Sequence, residues 1–547
     1  MGSTQFNLPD VFDTVAGVHP ERDCLVWGDT RLTFAQMADR SSRLAAYLRS
    51  QGLGAHRERD GLAGHESGQD HVGIYLYNGN EYLEAMLGGF RARVAPFNVN
   101  YRYVADELLY LLDNAACRAL VYHAAFAPTL AEVRDRLPRL EVLIQVPDES
   151  GNDLLPGAVD YEAALAAGDP DLDVQPSPDD LYILYTGGTT GMPKGVLWRQ
   201  PDIFMSAMGG RTILTQEAVE SYDDVAAQAR AFDQPLKFLV LPPLMHGAAQ
   251  WVAFIAWNNG HTIVLPPDTK RLDPAQTWRT VEAEGCTTLT VVGDAIARPL
   301  VEELESGDYD TSSLMSVGNG GAPLTPTIKQ RLLAQLPNIL LTDSVGSSET
   351  GAQMSHLSSA GGEVSTGRFT PMAGTVVVSE DLDRVVAPGH DGIGWLAQAG
   401  WVPLGYLGDA DKTARTFPVI DGTRYSVPGD RARHLAGGDI ELLGRDSVTI
   451  NSGGEKIFAE EVERAIAGHT AVHDVVVVGR PSERWGQEVV ALVELSPGAA
   501  ASSDDIVTHA GRHIARYKLP KDVLFLDAIQ RSPSGKADYR WAKAQVQ

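Results

Sequence analysis

Apolar positions in the first 150 residues switch repeatedly between a helical and a strand period. From Leu32 to Gln51, behind Thr33, they recur three and four apart, which predicts an amphipathic helix. Val72 to Leu76 (VGIYL) reads as a short buried strand, with a helix expected from Glu81. Ala119 to His123 and Val142 to Val146 repeat the strand signature, with a helix expected between them from Thr129 to Leu137. Strands alternating with helices predict an α/β architecture.

Two polar, Gly-rich stretches interrupt this pattern. Residues 54–71 read as an exposed loop, and residues 147–180, rich in Asp, Pro and Gly, as a connecting region. Beyond about residue 445 the pattern predicts a compact α+β unit. It has helices near 459–467 and 503–516, and strands near 474–478 and 488–495. The turn Gly444 to Ser447 is therefore read as a boundary, giving a large domain of residues 1–445 and a small one of residues 446–547. No fixed-period repeat occurs, which excludes solenoids and propellers.

Composition narrows the function classes. Among 547 residues, 44% are hydrophobic and 21% charged, enough to bury large cores, while the net charge is −26. So acidic a chain is poorly suited to nucleic acid or anionic membranes, both of which need a positive field. Any phosphate ligand must be held by local donors. The three cysteines, Cys24, Cys117 and Cys286, lie far apart with no C-x-x-C spacing, which excludes a disulfide framework and a zinc ribbon. No signal peptide or 18-residue apolar run is visible, so a cytoplasmic protein without a transmembrane segment is expected. A homo-oligomer is an accompanying expectation, and weak peripheral membrane contact is left open.

The stretch Leu181 to Arg199 carries the first chemistry. An apolar run enters Thr186, Gly187, Gly188, Thr189, Thr190 and Gly191, followed by Pro193, Lys194, Gly195 and a second β-rich run. Glycines let backbone N–H groups approach an anion, threonine hydroxyls add donors, and Lys194 adds charge. A Walker loop would open a helix, whereas Pro193 and Val196 direct this loop between two strands.

TGGTTGMPKG resembles the phosphate loop of the adenylate-forming superfamily, which includes acyl-CoA synthetases, luciferases and peptide-synthetase adenylation domains. Gly187 stands where many members have serine. Further blocks follow in family order. Leu241 to Gly247 resembles the segment whose histidine, here His246, lies between the acyl and nucleotide pockets. Gly320 to Leu324, with Gly321, Ala322 and Pro323, resembles the adenine-side loop. Asp343 to Gly351 resembles the Tyr-Gly-x-Thr-Glu segment. There the resemblance makes Glu349 the Mg²⁺ ligand, sets Ser348 at the α-phosphate, and places Ser344, Val345 and Gly346 beside the base. Val345 replaces the tyrosine that usually stacks on adenine. Asp430, in Tyr425 to Asp430, would accept the ribose hydroxyls, and Arg445 would contact ribose or phosphate.

The resemblance also implies a rotating carboxyl-terminal domain, although Ser447 occupies the usual hinge position. Gly453, Gly454 and Lys456 resemble the loop that lines the pantetheine tunnel after rotation. Lys536, in Arg531 to Lys536, would bridge the carboxylate and α-phosphate and act as the catalytic cation beside Glu349 and His246. The implied fold is a large multi-subdomain body of sheets packed with helices plus a small mobile α+β domain. The implied activity is an AMP-forming acyl-CoA ligase using ATP, Mg²⁺, coenzyme A and a small-molecule carboxylic acid. Pieces such as Asn98 to Tyr103 look like actinobacterial ligases of lipid and sterol side-chain breakdown, so a long apolar or polycyclic acid is expected. Two alternatives stay open: an acyl-AMP ligase serving a carrier protein, and a catalytically silent nucleotide-binding homologue.

Overall fold

The computed structural model describes residues 5–547 except 172, 187–191, 213–215, 363, 366, 453–454, 483 and 533–534. Among the described residues the strands assemble into three sheets. An eight-stranded sheet holds His71–Tyr75, Ala95–Asn98, Cys117–His123, Val142–Val146, Ala158–Asp160 and Leu181–Thr186, joined in parallel. Antiparallel Lys194–Arg199 and Gly405–Tyr406 complete one edge. Helices cover both faces, which is why its strands read as continuous apolar runs.

A larger sheet begins parallel, through Asp23–Trp27, Thr262–Leu265, Lys237–Val240, Thr288–Val291, Ser316–Gly320 and Leu340–Ser347. It then turns antiparallel through Gly351–Ser358, Arg368–Pro371, Ile440–Arg445 and Asp430–His434. The third sheet draws all its strands, from Thr449–Ser452 to Asp522–Phe525, from residues after the turn at 444–447. It packs a separate apolar cluster with the helices Ala459–Ala467 and Ser503–Ala510.

The expected helix over 32–51 forms as Phe34–Ser50, held at its start by Thr33 and Gln36 in reciprocal capping bonds. Three expectations change. The helix expected over 129–137 forms as Ala127–Val133, followed by a 3-10 turn over Arg134–Arg136. Residues 147–180 are not only a connection, because the parallel edge strand Ala158–Asp160 and the helix Tyr161–Ala167 lie within them. The helix expected to reach 516 ends at Ala510, and a separate 3-10 turn spans Arg516–Lys518.

Two buried asparagines knit the sheets together where the phosphate loop departs. Asn98 Oδ1 accepts the Tyr185 N–H at 2.7 Å, while its Nδ2 donates to the carbonyls of Tyr185 and Met245 at 3.0 and 2.7 Å. Asn78 donates to Pro242 O at 3.0 Å and accepts from Leu244 N–H at 2.6 Å. Each amide satisfies backbone groups that burial would otherwise leave unpaired. Together they fix the strand before the phosphate loop against the segment that carries His246.

Candidate active site

Glu349 lies in the connection between the strands Leu340–Ser347 and Gly351–Ser358. The hairpin is tight: a Cβ on Gly346 would fall 2.2 Å from Gly351 O, so only glycine fits there. Tyr406 donates its hydroxyl to Glu349 Oε1 at 2.8 Å, and Ser426 Oγ donates to the Glu349 carbonyl at 2.6 Å. Burial and the adjacent carboxylate push the Tyr406 phenol far up, so it stays a donor at working pH. Glu349 Oε2 has no hydrogen-bond partner among the described residues.

Asp430 and Arg445 face each other across an antiparallel strand pair, with Nε and Oδ1 3.3 Å apart. The Asp430 carboxylate is the main influence raising the Arg445 guanidinium, burial opposes it, and Glu349 and Glu460 add to the rise. Lys536 arrives from the end of the chain. Its side chain is exposed. The protein atoms that strip water from its ammonium nonetheless come first, then Arg445, in pulling it below the ordinary lysine range, while Glu349, Asp430 and Glu460 pull the other way. It forms no ion pair among the described residues and keeps accessible surface, as a cation in an open cleft would.

His246 feels the same lysine. Burial, then Lys536 and Arg102, hold its imidazole down at about 4, and its Nε2 is buried with no partner among the described residues. It is therefore neutral at working pH, with one ring nitrogen unmatched by protein. His246, Glu349, Asp430, Arg445 and Lys536, spread over almost 300 residues of sequence, are thus linked electrostatically through Lys536.

The loop through Gly321, Ala322 and Pro323 is built on a buried charge. Lys329 Nζ meets Asp343 Oδ2 at 2.7 Å with both side chains enclosed, and Asn319 Nδ2 donates to Asp343 Oδ1 at 2.7 Å. Asn319 also donates to Ala322 O at 3.0 Å and accepts from Gly293 N–H at 2.7 Å. The loop through Gly321, Ala322 and Pro323 is thereby pinned beside the strand holding Ser344 and Val345. Val345 rests on an apolar cluster of Met354, Phe369 and Val377, whereas Ser344 and Gly346 are exposed on the opposite side of the strand. Gly318 and Gly320 border open space: a Cβ on the first would meet nothing within 4 Å, and one on the second only Ser344 O, at 3.8 Å.

Lys194 is ion-paired with Asp409, and Thr186 faces it across the hairpin. The Tyr406 ring stands between the ammonium groups of Lys194 and Lys412, 6.0 and 5.8 Å from its centroid. Gly187, Gly188, Thr189, Thr190 and Gly191 lie outside the described residues, as do Gly453 and Gly454. The Ser348 carbonyl accepts from Trp198 Nε1 at 2.8 Å. Lys456 is not with the others: it pairs with Glu380 at 2.6 Å, beside Arg431.

The sequence pattern missed the supporting groups. Tyr406, Asn319, Lys329, Asp409 and Glu460 had no role assigned from the sequence. Their importance arises from contacts across 14 to more than 200 positions, which no local spacing records.

The sequence pattern described as "AMP-binding enzyme" matches residues 12–407, and that of "AMP-binding enzyme C-terminal domain" matches residues 461–536. The chain is 60% identical to the "Medium-chain acyl-CoA ligase Mig" of Mycobacterium avium, over 100% of this chain and 99% of that one. It is 41% identical to a "Medium/long-chain-fatty-acid--CoA/3-oxocholest-4-en-26-oate--CoA ligase" of Mycobacterium tuberculosis, over 99% and 96% of the two chains. Its fold matches the crystal structure of the anthranilate CoA ligase AuaEII with anthranoyl-AMP, with a TM-score of 0.81 at 20% identity, covering 99% and 97% of the chains.

Proposed function

The chain belongs to the AMP-binding enzyme family, and on that premise we propose how its cleft carries out acyl-CoA ligation and on which acid. It is an AMP-forming acyl-CoA ligase that uses ATP and CoA. In the first half-reaction a carboxylate oxygen of the acid attacks the α-phosphorus of ATP, and pyrophosphate leaves. In the second, the CoA thiol attacks the acyl carbonyl and AMP leaves.

The electrostatic link of Lys536 to Glu349, Asp430, Arg445 and His246 is the observation that carries the assignment of roles. Lys536, which forms no ion pair among the described residues, is the cation assigned to the negative charge that builds as pyrophosphate departs, lowering the barrier by electrostatic stabilisation. Lys194 offers charge to the leaving phosphates when it exchanges Asp409 for them. Asp430 accepts from the ribose hydroxyls, and Arg445, already aligned by Asp430, reaches the ribose or phosphate. The pinned loop of Gly321, Ala322 and Pro323 supports a flat base against Ser344, Gly346 and the backbone of Val345. Neutral His246 lines the boundary of the acyl site, its buried Nε2 open to a polar atom of the acid.

Glu349 fits a Mg²⁺ ligand. It is a hard oxygen donor with one oxygen fixed by Tyr406 and the other free, and no group of three metal-binding side chains occurs among the described residues. That donor set suits an ion held by one carboxylate together with substrate phosphates. When bound, Mg²⁺ neutralises phosphate charge.

We assign residues 1–445 and 446–547 to two domains that change pose between half-reactions. Support comes from the separate sheet after residue 448 and from the distance in role between Lys536, in the cleft, and Lys456, paired outside it. No helix among the described residues is long and apolar enough to cross a membrane, which is compatible with a cytoplasmic enzyme.

For the acid we favour a medium- or long-chain fatty acid. The helix Gly247–Asn258 starts directly after His246 and carries Gly247, Ala248, Trp251, Val252 and Ile255 on a half-buried apolar stripe. Open space at Gly318 and Gly320 suits a bulky chain. A steroid side-chain acid is the second reading, favoured by the relative whose name includes 3-oxocholest-4-en-26-oate. ATP–pyrophosphate exchange with fatty acids of several lengths competing against a steroid 26-oic acid tests the substrate. The activity is tested by CoA-dependent AMP release. Exchange with none of the acids sinks the ligase assignment. Exchange without use of free CoA makes the protein an acyl-AMP ligase for a carrier.

A further inference from the structure

The loop that presents Lys536 is gripped from a defect in the small domain's sheet. The strand Val472–Ser482 slips register against Gly486–Leu495 between Val472 and Asp474. A bulge takes a side chain out of the ordinary alternation. Here Asp474 meets the Arg531 guanidinium with both oxygens: Oδ2 accepts from Nε at 2.7 Å and Oδ1 from Nη2 at 2.5 Å. The planar fork of arginine fixes direction as well as distance in such a pair. Arg531 Nη1 then donates to the carbonyl of Gly535 at 3.3 Å, the residue before Lys536. The loop closes on itself through Ser532 N–H to Lys536 O and Gly535 N–H to Ser532 O, both 2.8 Å.

The same bulge touches the large domain. The His473 carbonyl accepts from Arg298 Nη2 at 2.9 Å, and that nitrogen also donates to Asp294 Oδ2 at 3.1 Å. Asp294 in turn accepts the N–H and hydroxyl of Thr325, each at 2.8 Å, directly after the base-side loop. Gly535, at φ +76°, seats on the start of the helix Gly293–Ser306, where a Cβ would lie 3.4 Å from Ala295 Cβ and 3.6 Å from Val292 O. One contact network thus runs from the base-side loop to the backbone of the lysine.

We propose that Asp474, Arg531 and Arg298 are positioning residues that hold the Lys536 loop against the large domain for adenylation and let go for thioester formation. Asp474 and Arg531 aim the loop; Arg298 docks it. The inference rests on the proposed role of Lys536. None of the three touches substrate; they act through the place they give the lysine. Displacing a catalytic group by about 1 Å costs on the order of 100-fold in rate.

The test measures the half-reactions separately on the full chain. Asp474→Asn and Arg298→Ala should lower acid-dependent ATP–pyrophosphate exchange by about 10- to 100-fold, through kcat, with the KM for ATP changed less than about twofold. Thioester formation from supplied acyl-AMP and CoA should stay within about twofold of the parent, which also shows that the variants fold. Asp474→Glu, which keeps the carboxylate, should recover most of the exchange. Equal loss of both half-reactions, or exchange unchanged in Asp474→Asn, overturns the inference. Lys536→Ala separates the two layers. If it spares exchange, the lysine assignment fails and the clamp fails with it. If it abolishes exchange while Asp474→Asn behaves as parent, only the clamp fails.

Discussion

Glu349 depends on Tyr406 for its direction. The phenol at 2.8 Å leaves one carboxylate oxygen free, and removing that donor lets the side chain rotate. Tyr406→Phe should therefore raise the Mg²⁺ concentration needed for half-maximal exchange by about tenfold while leaving the fold intact, the scale on which support of a metal ligand acts. A Mg²⁺ titration of exchange checks it; an unchanged midpoint would remove Tyr406 from the site. Lys536 makes a second prediction through its charge. Only the ammonium form can stabilise the departing pyrophosphate, and burial with Arg445 lowers its pKa. Rising pH should abolish adenylation at a lower pH than the ordinary lysine value of about 10.4. The pH profile of exchange should carry this alkaline limb. That of thioester formation from acyl-AMP should lack it if the role proposed for Lys536 is confined to adenylation.

Among the elements, the helix Ala459–Ala467 is the most heavily constrained. Its Glu460 lies against Gly444, where a Cβ would fall 2.8 Å from Oε2, and its Arg464 donates to Leu442 O at 3.0 Å. Both contacts join the small domain to the last strand of the large one. Glu463, on the same helix, accepts Val477 N–H at 2.8 Å and the Tyr539 hydroxyl at 3.2 Å. Burial raises its carboxyl to about 8. An unfolded glutamate releases its proton near 4.3. Between those values the folded state holds a proton that the unfolded state has lost, so stability falls as pH rises toward about 8 and is level beyond it. Glu463→Gln keeps an acceptor for Val477 and removes the titration. The variant should match the parent near pH 5 and melt about 4 °C or more higher near pH 9, the shift of roughly 1 kcal/mol in a domain of about 100 residues. Thermal melts at both pH values decide it, and parallel losses at the two would show that Glu463 does not titrate in this range.

At the scale of the molecule, Lys456 and Lys536 of the small domain stand in different surroundings. Lys536 stands in the field of Arg445, Glu349 and Asp430, while Lys456 is half-exposed and paired with Glu380. An exposed pair contributes about 0–1 kcal/mol, too little to hold a domain. Lys456→Ala should thus leave exchange within about twofold of the parent and raise the KM for CoA about tenfold, the mirror image of Lys536→Ala. Steady-state kinetics with CoA varied would expose the error if CoA affinity were unchanged. Much of this was legible beforehand. Apolar periodicity located the strands at Cys117–His123 and Val142–Val146 and the helix Ala459–Ala467 because burial on one face leaves a local imprint. The expectations for the Gly/Thr loop, Glu349, Asp430 and Lys536 come from short motifs that resemble those of a known family. Motifs do not record the partner of a side chain. Asp409 opposite Lys194, Tyr406 on Glu349, and Asp474 on Arg531 are pairs made by strands that meet only after folding. The sequence alone determined which groups exist and the order in which the chain delivers them. The tertiary structure decided which of them act on one another, because distance, burial and charge between segments hundreds of residues apart are properties of the packed chain.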